Sequence, residues 1–158
     1  MTKQKIYLDT SVLSAYFDFR KPLRQLMTER WVQNDFLAYD VFISSLVLVE
    51  IGNTPDRELR EKMLKLVGTM SLTILDMTPA VVALAQKYRT KVIPKEENDS
   101  LHIAVASLSG LDAIVSWNFK HIVNLDTIHG IHQVNLRNKL GIIEILSIQN
   151  LGGDKYVG

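Results

Sequence analysis

Ile6-Tyr7-Leu8-Asp9-Thr10-Ser11 is the stretch from which the chain is best read. An apolar run stops on a carboxylate, and two hydroxyl residues follow at once. Lys5 to Leu8 has the length of a short buried strand, and Thr10 or Ser11 then offers the cap of a helix through Phe17. The same meeting of apolar run and acid recurs twice. Leu46-Val47-Leu48-Val49 runs into Glu50, and Asp99 opens Leu101-His102-Ile103-Ala104-Val105-Ala106. An isolated buried carboxylate is destabilising on the order of several kcal/mol, or it takes up a proton. Three of them at the edges of core elements make physical sense if they converge on a shared cation. That pattern points to a metal-dependent enzyme, with phosphodiester hydrolysis the leading chemistry.

Outward from this stretch, short apolar runs alternate with helical periodicity. Pro22 suits the first turn of a second helix carrying Leu23, Leu26, Met27, Trp31 and Val32. Ala38 to Ile43 reads as a strand, and Ser44 or Ser45 as the cap of a helix through Glu50, closed by Gly52. Thr54-Pro55-Asp56 begins a further helix, Ser71 to Leu75 a strand, and Thr78-Pro79 a helix to about Thr90. Asn98-Asp99 should cap a helix to Leu108 that Gly110 ends. Ala113 to Ser116 reads as a strand, Asp126 to Leu140 as a helix and Ile142 to Leu146 as a fifth strand. Uninterrupted apolar strands separated by helices imply an α/β fold, a parallel sheet of about five strands covered on both faces. One domain over residues 1–150 and a flexible tail over 151–158, marked by Gly152-Gly153 and Gly158, are expected.

Composition narrows the classes. The 158 residues are 47% apolar and 22% charged, the balance of a single globular domain and not of a disordered chain. No cysteine is present, which excludes disulfides, thiolate metal sites and cysteine nucleophiles. The longest apolar stretches, such as Ala80 to Ala85, fall far short of the roughly 20 residues of a membrane helix, and Asp9 interrupts any secretory pattern after Lys5. A soluble cytoplasmic protein without a membrane partner is expected. The net charge of +1 gives no global nucleic-acid signature, so phosphates would have to meet local clusters. Arg20-Lys21-Arg24, Arg57 with Arg60, Lys62 and Lys65, and Lys87-Arg89-Lys91-Lys95 are such clusters. The plainer reading of each, and the favoured one, is a solvated helix face interleaved with Glu58, Glu61 and Glu96.

Each acid also has a plainer explanation. Asp9 could be a helix N-cap and nothing more, and Asp99 could serve the macrodipole of a first helical turn. Glu50 is harder to explain away, because no basic residue lies one turn earlier to pair with it. His102, one turn after Asp99, reads as a buried histidine supporting the acids rather than a metal ligand. His129 and His132 lack companion ligands, no His-x-x-x-His pair occurs, and glycine-rich phosphate loops are absent.

Tyr7-Leu8-Asp9-Thr10-Ser11-Val12-Leu13 resembles the opening of PIN domains. Ser45-Leu46-Val47-Leu48-Val49-Glu50-Ile51 is similar to their second motif, and Asp99-Ser100-Leu101-His102-Ile103-Ala104-Val105-Ala106 to their third. Ala113-Ile114-Val115-Ser116-Trp117-Asn118-Phe119 occupies the place of the fourth, and the VapC-like toxins of prokaryotic toxin–antitoxin pairs are the group most resembled. The resemblance implies a three-layer α/β/α sandwich and a Mg²⁺- or Mn²⁺-dependent ribonuclease with catalytic acids Asp9, Glu50 and Asp99. RNA as substrate, a cognate antitoxin and a homodimer are the partners it implies. Where the fourth motif commonly supplies an aspartate this chain has Asn118, whose carbonyl could serve a metal or its water, and His121 stands where some members have a later Asp. Thr10 and Ser116 are the hydroxyls placed to hold carboxylates.

Two other classes compete. A phosphatase using an aspartyl phosphate also begins with a strand-end Asp but needs a second Asp two positions on, where this chain has Ser11. The other is a catalytically weakened PIN-like RNA-binding or interaction module, motivated by Asn118. Retention of three acids in apolar surroundings argues against it.

Overall fold

The computed structural model of the chain describes residues 2–158. Five strands, β1 (Gln4–Leu8), β2 (Tyr39–Ser44), β3 (Leu72–Leu75), β4 (Ala113–Val115) and β5 (Glu144–Leu146), form one sheet in the order β3-β2-β1-β4-β5. Every pairing is parallel. Parallel neighbours cannot be joined by hairpins, so helices make each crossover. These are α1 (Thr10–Ala15), α2 (Pro22–Asn34), α3 (Ser45–Gly52), α4 (Arg57–Thr69), α5 (Pro79–Lys91), α6 (Glu97–Leu108) and α7 (Leu125–Arg137). Helices α1 to α4 pack among themselves, and α5 packs on α6 and α7. The result is the expected α/β/α sandwich.

Why these residues make this sheet follows from burial. Ile6, Tyr7 and Leu8 of β1, and all three residues of β4, are buried, as central strands covered on both faces must be. β3 lies at an edge and exposes Thr73 and Ile74. Fully burying a residue such as Leu8 stabilises the fold by about 1.5–3 kcal/mol. Its replacement by Ala would leave a cavity and a loss of about 2–5 kcal/mol. Helix starts are set locally: Asp56, Thr78 and Asn124 accept bonds from the amides of Leu59, Val81 and Thr127. Gly110 ends the α6 segment at φ +67°, a conformation open to glycine.

Several boundaries differ from the sequence reading, for identifiable reasons. α6 begins at Glu97, with Glu96 in the cap position and no side-chain cap bond, so Asn98 and Asp99 lie inside the first turn. α7 begins one residue early because Asn124 caps it, and it ends at Arg137, ahead of Lys139 at φ +60°. The last residues form two 3-10 turns, Gln149–Leu151 and Gly153–Tyr156; Lys155 and Tyr156 both reach Asp35 Oδ1, at 3.1 Å.

The strand order, which the sequence leaves open, positions the site. The chain runs outward from β1 through β2 to β3, then returns to the other side of β1 with β4. The crevice beyond the carboxyl ends of β1 and β4 is therefore the topological switch point, where open α/β sheets bind ligands. The Asp9 amide donates to Val115 O at 3.2 Å and the Ser116 amide to Leu146 O at 2.9 Å, so both residues stand where the ladder ends.

Candidate active site

Asp9 follows β1 directly and is 4% exposed. It occupies the cap position of α1, yet its carboxylate makes no cap bond. Its oxygens turn elsewhere: Ser11 Oγ donates to Oδ1 at 2.5 Å and Ser116 Oγ donates to Oδ2 at 2.6 Å. Each hydroxyl in turn accepts a backbone amide from the segment after β4, Trp117 N–H on Ser11 and Asn118 N–H on Ser116. Two parallel relays thus tie the β1 acid to the β4 loop. Burial still dominates and raises the Asp9 pKa; the charge of His102 and the two hydroxyls pull the other way, and the charge of Glu50 adds to the rise.

Glu50 projects from α3 and is only half-buried. Thr10 Oγ1 donates to its Oε1 at 2.7 Å, His102 Nε2 approaches the same oxygen at 2.5 Å, and Asn98 Nδ2 donates to Oε2 at 3.2 Å. Burial works against its charged form, but His102, Thr10 and Asn98 outweigh it and hold the carboxyl below the usual glutamate range. An ionised carboxylate only accepts hydrogen bonds, so His102 Nε2 carries a proton. The other ring nitrogen of His102 is bonded to the Tyr7 hydroxyl at 2.6 Å, and that hydroxyl to Ser44 Oγ at 2.7 Å. The chain Ser44–Tyr7–His102–Glu50–Thr10 links β2, β1, α6, α3 and α1. His102 therefore supports an acid, as its apolar surroundings suggested.

Asp99, in the first turn of α6, has a pKa raised to about 6, first by burial and next by the charge of Asp9. Asn118 Nδ2 donates to its Oδ2 at 3.2 Å, while Asn118 Oδ1 accepts the backbone amide of His121 at 2.9 Å. A backbone N–H can only donate, which fixes the Asn118 oxygen toward the turn and its nitrogen toward Asp99. The asparagine at the fourth motif thus sits beside the acids and closes the turn at the same time. Among the described residues the acids and histidines whose ligand atoms all lie within 4.8 Å of one another are Glu96, Asp99 and His121, with His121 Nε2 3.3 Å from Glu96 Oε1; Asp9 and Glu50 stand outside that grouping.

The charge of Glu50 acts on Asp9 and that of Asp9 on Asp99, and among the described residues no lysine or arginine forms an ion pair with any of the three. A divalent cation fits the chemistry of these donors, which are hard carboxylate oxygens with no sulfur ligand, and His102 is the basic group that faces them. Thr10 and Ser116 make the carboxylate bonds expected of them. In the sequence Ser11 and Asn98 have only capping roles and Tyr7 none, and Glu96 reads as surface charge. Glu96 and Asp99 are three apart, the spacing of one helix face, which could have drawn attention to the former. Of the basic clusters, the one on α4 is a solvated face: Arg57 pairs with Glu61 and Lys62 with Glu58.

Fold and site together define a parallel α/β protein with acids at the carboxyl end of β1 and on the neighbouring α3 and α6. The chain belongs to the PIN domain family, a family of nucleases, whose profile matches residues 6–127. Its fold is shared with the structure of VapBC2 from Rickettsia felis bound to a promoter DNA fragment (TM-score 0.55, 16% identity, 91% of this chain and 98% of that one). It is also shared with VapC20 of Mycobacterium tuberculosis, described as a toxin that cleaves the sarcin–ricin loop (TM-score 0.57, 14% identity, 73% and 92%). A toxin–antitoxin complex from Klebsiella pneumoniae is similar at TM-score 0.54 and 16% identity, over 73% and 88%. No curated protein sequence matches the chain.

Proposed function

We propose that this protein is a Mg²⁺- or Mn²⁺-dependent endoribonuclease, acting as the toxin of a type II toxin–antitoxin pair. One observation carries the reading: the charge of Asp9, at the end of β1, acts on Asp99 of α6 and that of Glu50 of α3 acts on Asp9, no lysine or arginine pairs with any of the three among the described residues, and Asp99 is driven to a pKa of about 6. Asp9, Glu50 and Asp99 would hold the cation, which supplies Lewis acidity toward a phosphodiester and lowers the pKa of water. The protein's own part is orientation. Ser11 and Ser116 fix both oxygens of Asp9; Thr10, His102 and Asn98 keep Glu50 ionised, ready to orient water or take its proton; Asn118 aims Asp99.

A cognate antitoxin and a homodimer are the proposed partners. The Rickettsia felis and Klebsiella pneumoniae structures, which are toxin–antitoxin assemblies on this fold, support the first. Among the described residues no helix is long and apolar enough to cross a membrane, in keeping with action on RNA in the cytoplasm. Incubating the purified protein with single-stranded and structured RNA, with Mg²⁺ or Mn²⁺ and with EDTA, tests the proposal. Metal-dependent internal cleavage is expected; intact RNA under every condition would favour the weakened binding module instead.

A further inference from the structure

The guanidinium of Arg24 on α2 lies 4.9 Å from the ring centre of Trp117 and 5.2 Å from that of Phe119. Both rings belong to the segment that follows β4, whose Ser116 and Asn118 bond Asp9 and Asp99. Trp117 is buried and its Nε1 donates to Thr28 Oγ1 at 2.9 Å, so one ring is fixed. Phe119 stands edge-on to it, at 82°, and is 41% exposed. Among the described residues Arg24 has no carboxylate partner; Asp18, the acid nearest in the lining, pairs with Arg20. A surface pocket of about 270 Å³ opens here, lined by Lys21 and Arg24 on one side and by Ser11, Trp117 and Asn118 on the other. Across the loop, Phe119 lines a second depression with Lys95, Lys120 and His121.

A positive guanidinium without a counter-charge, held by aromatic faces beside a cluster of acids, suits a polyanion passing the acids. We propose that Arg24 and Phe119 form a subsite for single-stranded RNA, with Arg24 holding a backbone phosphate and Phe119 stacking on a base next to the cleaved bond. Arg presents a fork of donors to phosphate, and an exposed ring accepts any base face. An unpaired base can reach the exposed ring of Phe119, which lines the neighbouring depression, whereas an A-form duplex has no base free to do so. The proposal rests on the ribonuclease reading and adds two residues of this chain, Arg24 and Phe119, that would hold the substrate beside the acids.

The test is binding of a short fluorescein-labelled single-stranded RNA, and of the matching duplex, to the full chain in EDTA across a range of KCl, followed by anisotropy. Phe119→Leu keeps an apolar side chain and removes the stacking face; it should weaken single-strand binding roughly tenfold or more and leave duplex binding unchanged. Arg24→Gln should flatten the plot of log affinity against log salt by about 0.7, one phosphate contact fewer. Arg137→Gln, the loss of an exposed charge on α7, should change neither. A merely structural cation–aromatic contact would lower the melting temperature without altering the salt slope or the single-strand preference. Unchanged binding and slope in both variants overturns the subsite, as does equal loss for duplex and single strand, or wild-type binding of a poly-glutamate peptide but not of RNA. Binding that depends on Arg24 and Phe119 in a protein that never cleaves would sink the nuclease reading and leave the subsite standing. Cleavage by a wild type whose binding ignores both residues would do the reverse.

Discussion

His102 Nε2 lies 2.5 Å from Glu50 Oε1, although the histidine side chain is 2% exposed and that of the glutamate 26%. A buried ring thus carries its bonding capacity from the core, through Tyr7, to an acid at the surface of the site. His102→Leu should remove both bonds and destabilise the fold by about 2–3 kcal/mol, the range for losing a hydrogen bond to a charged group and stranding a buried hydroxyl. Chemical denaturation measures this. A lowered carboxyl pKa in the fold adds stability above the unfolded value and loses it as pH falls through the folded one. As pH falls below the ordinary glutamate value of about 4.5, the wild type should therefore lose its advantage over His102→Leu.

Asp99 has the opposite sign. Its folded pKa, about 6, lies above the roughly 3.9 of an unfolded aspartate. Between those values the native state binds more protons, so the contribution of Asp99 to stability falls as pH rises from about 4 to about 6 and is level beyond. In the metal-free protein Asp99→Asn should flatten this decline and raise the melting temperature near neutrality. A melting curve series against pH for both proteins decides it.

Metal should reverse that penalty. A cation that binds only the native state stabilises by about 2.7 kcal/mol at a hundred times its dissociation constant. Millimolar Mg²⁺ or Mn²⁺ should raise the wild-type melting temperature, and Asp9→Asn should blunt the response. An unmoved wild type would argue against a shared cation site.

Asn118 donates to Asp99, so Asn118→Asp replaces a donor by a fourth carboxylate. Like charges at that distance repel, and the apo protein should be less stable while metal affinity rises. Calorimetric titration of both proteins with Mn²⁺ measures the difference. Equal affinities would confine Asn118 to the turn that its oxygen closes.

Much of this was legible in the sequence because the apolar runs of β1 and β4 leave their bounding residues no place but the strand ends. The places of Asp9 and Thr10 after β1 and of Ser116 after β4 were readable for that reason. The strand order was not, since nothing local to Ala113–Val115 says on which side of β1 it will pair. Helix capping misled at one point. Asn98-Asp99 has the residue types of a cap, but the helix starts earlier, which leaves Asp99 free to face Asn118. Tyr7 and His102 are 95 residues apart, and only packing reveals that they are bonded. His121 meets Glu96 because the connector before α6 folds against the loop after β4, a long-range event without a local signal.

The most direct test of the central claim is the cleavage rate of a labelled single-stranded RNA by wild type and by Asp99→Asn, each with Mn²⁺ and with EDTA. Metal-dependent cleavage by the wild type and a loss of at least about a hundredfold in the folded variant are predicted, as for removal of one key electrostatic group from a catalytic site. Cleavage that survives EDTA, or an Asp99→Asn protein working at the wild-type rate, would contradict a cation shared by Asp9, Glu50 and Asp99.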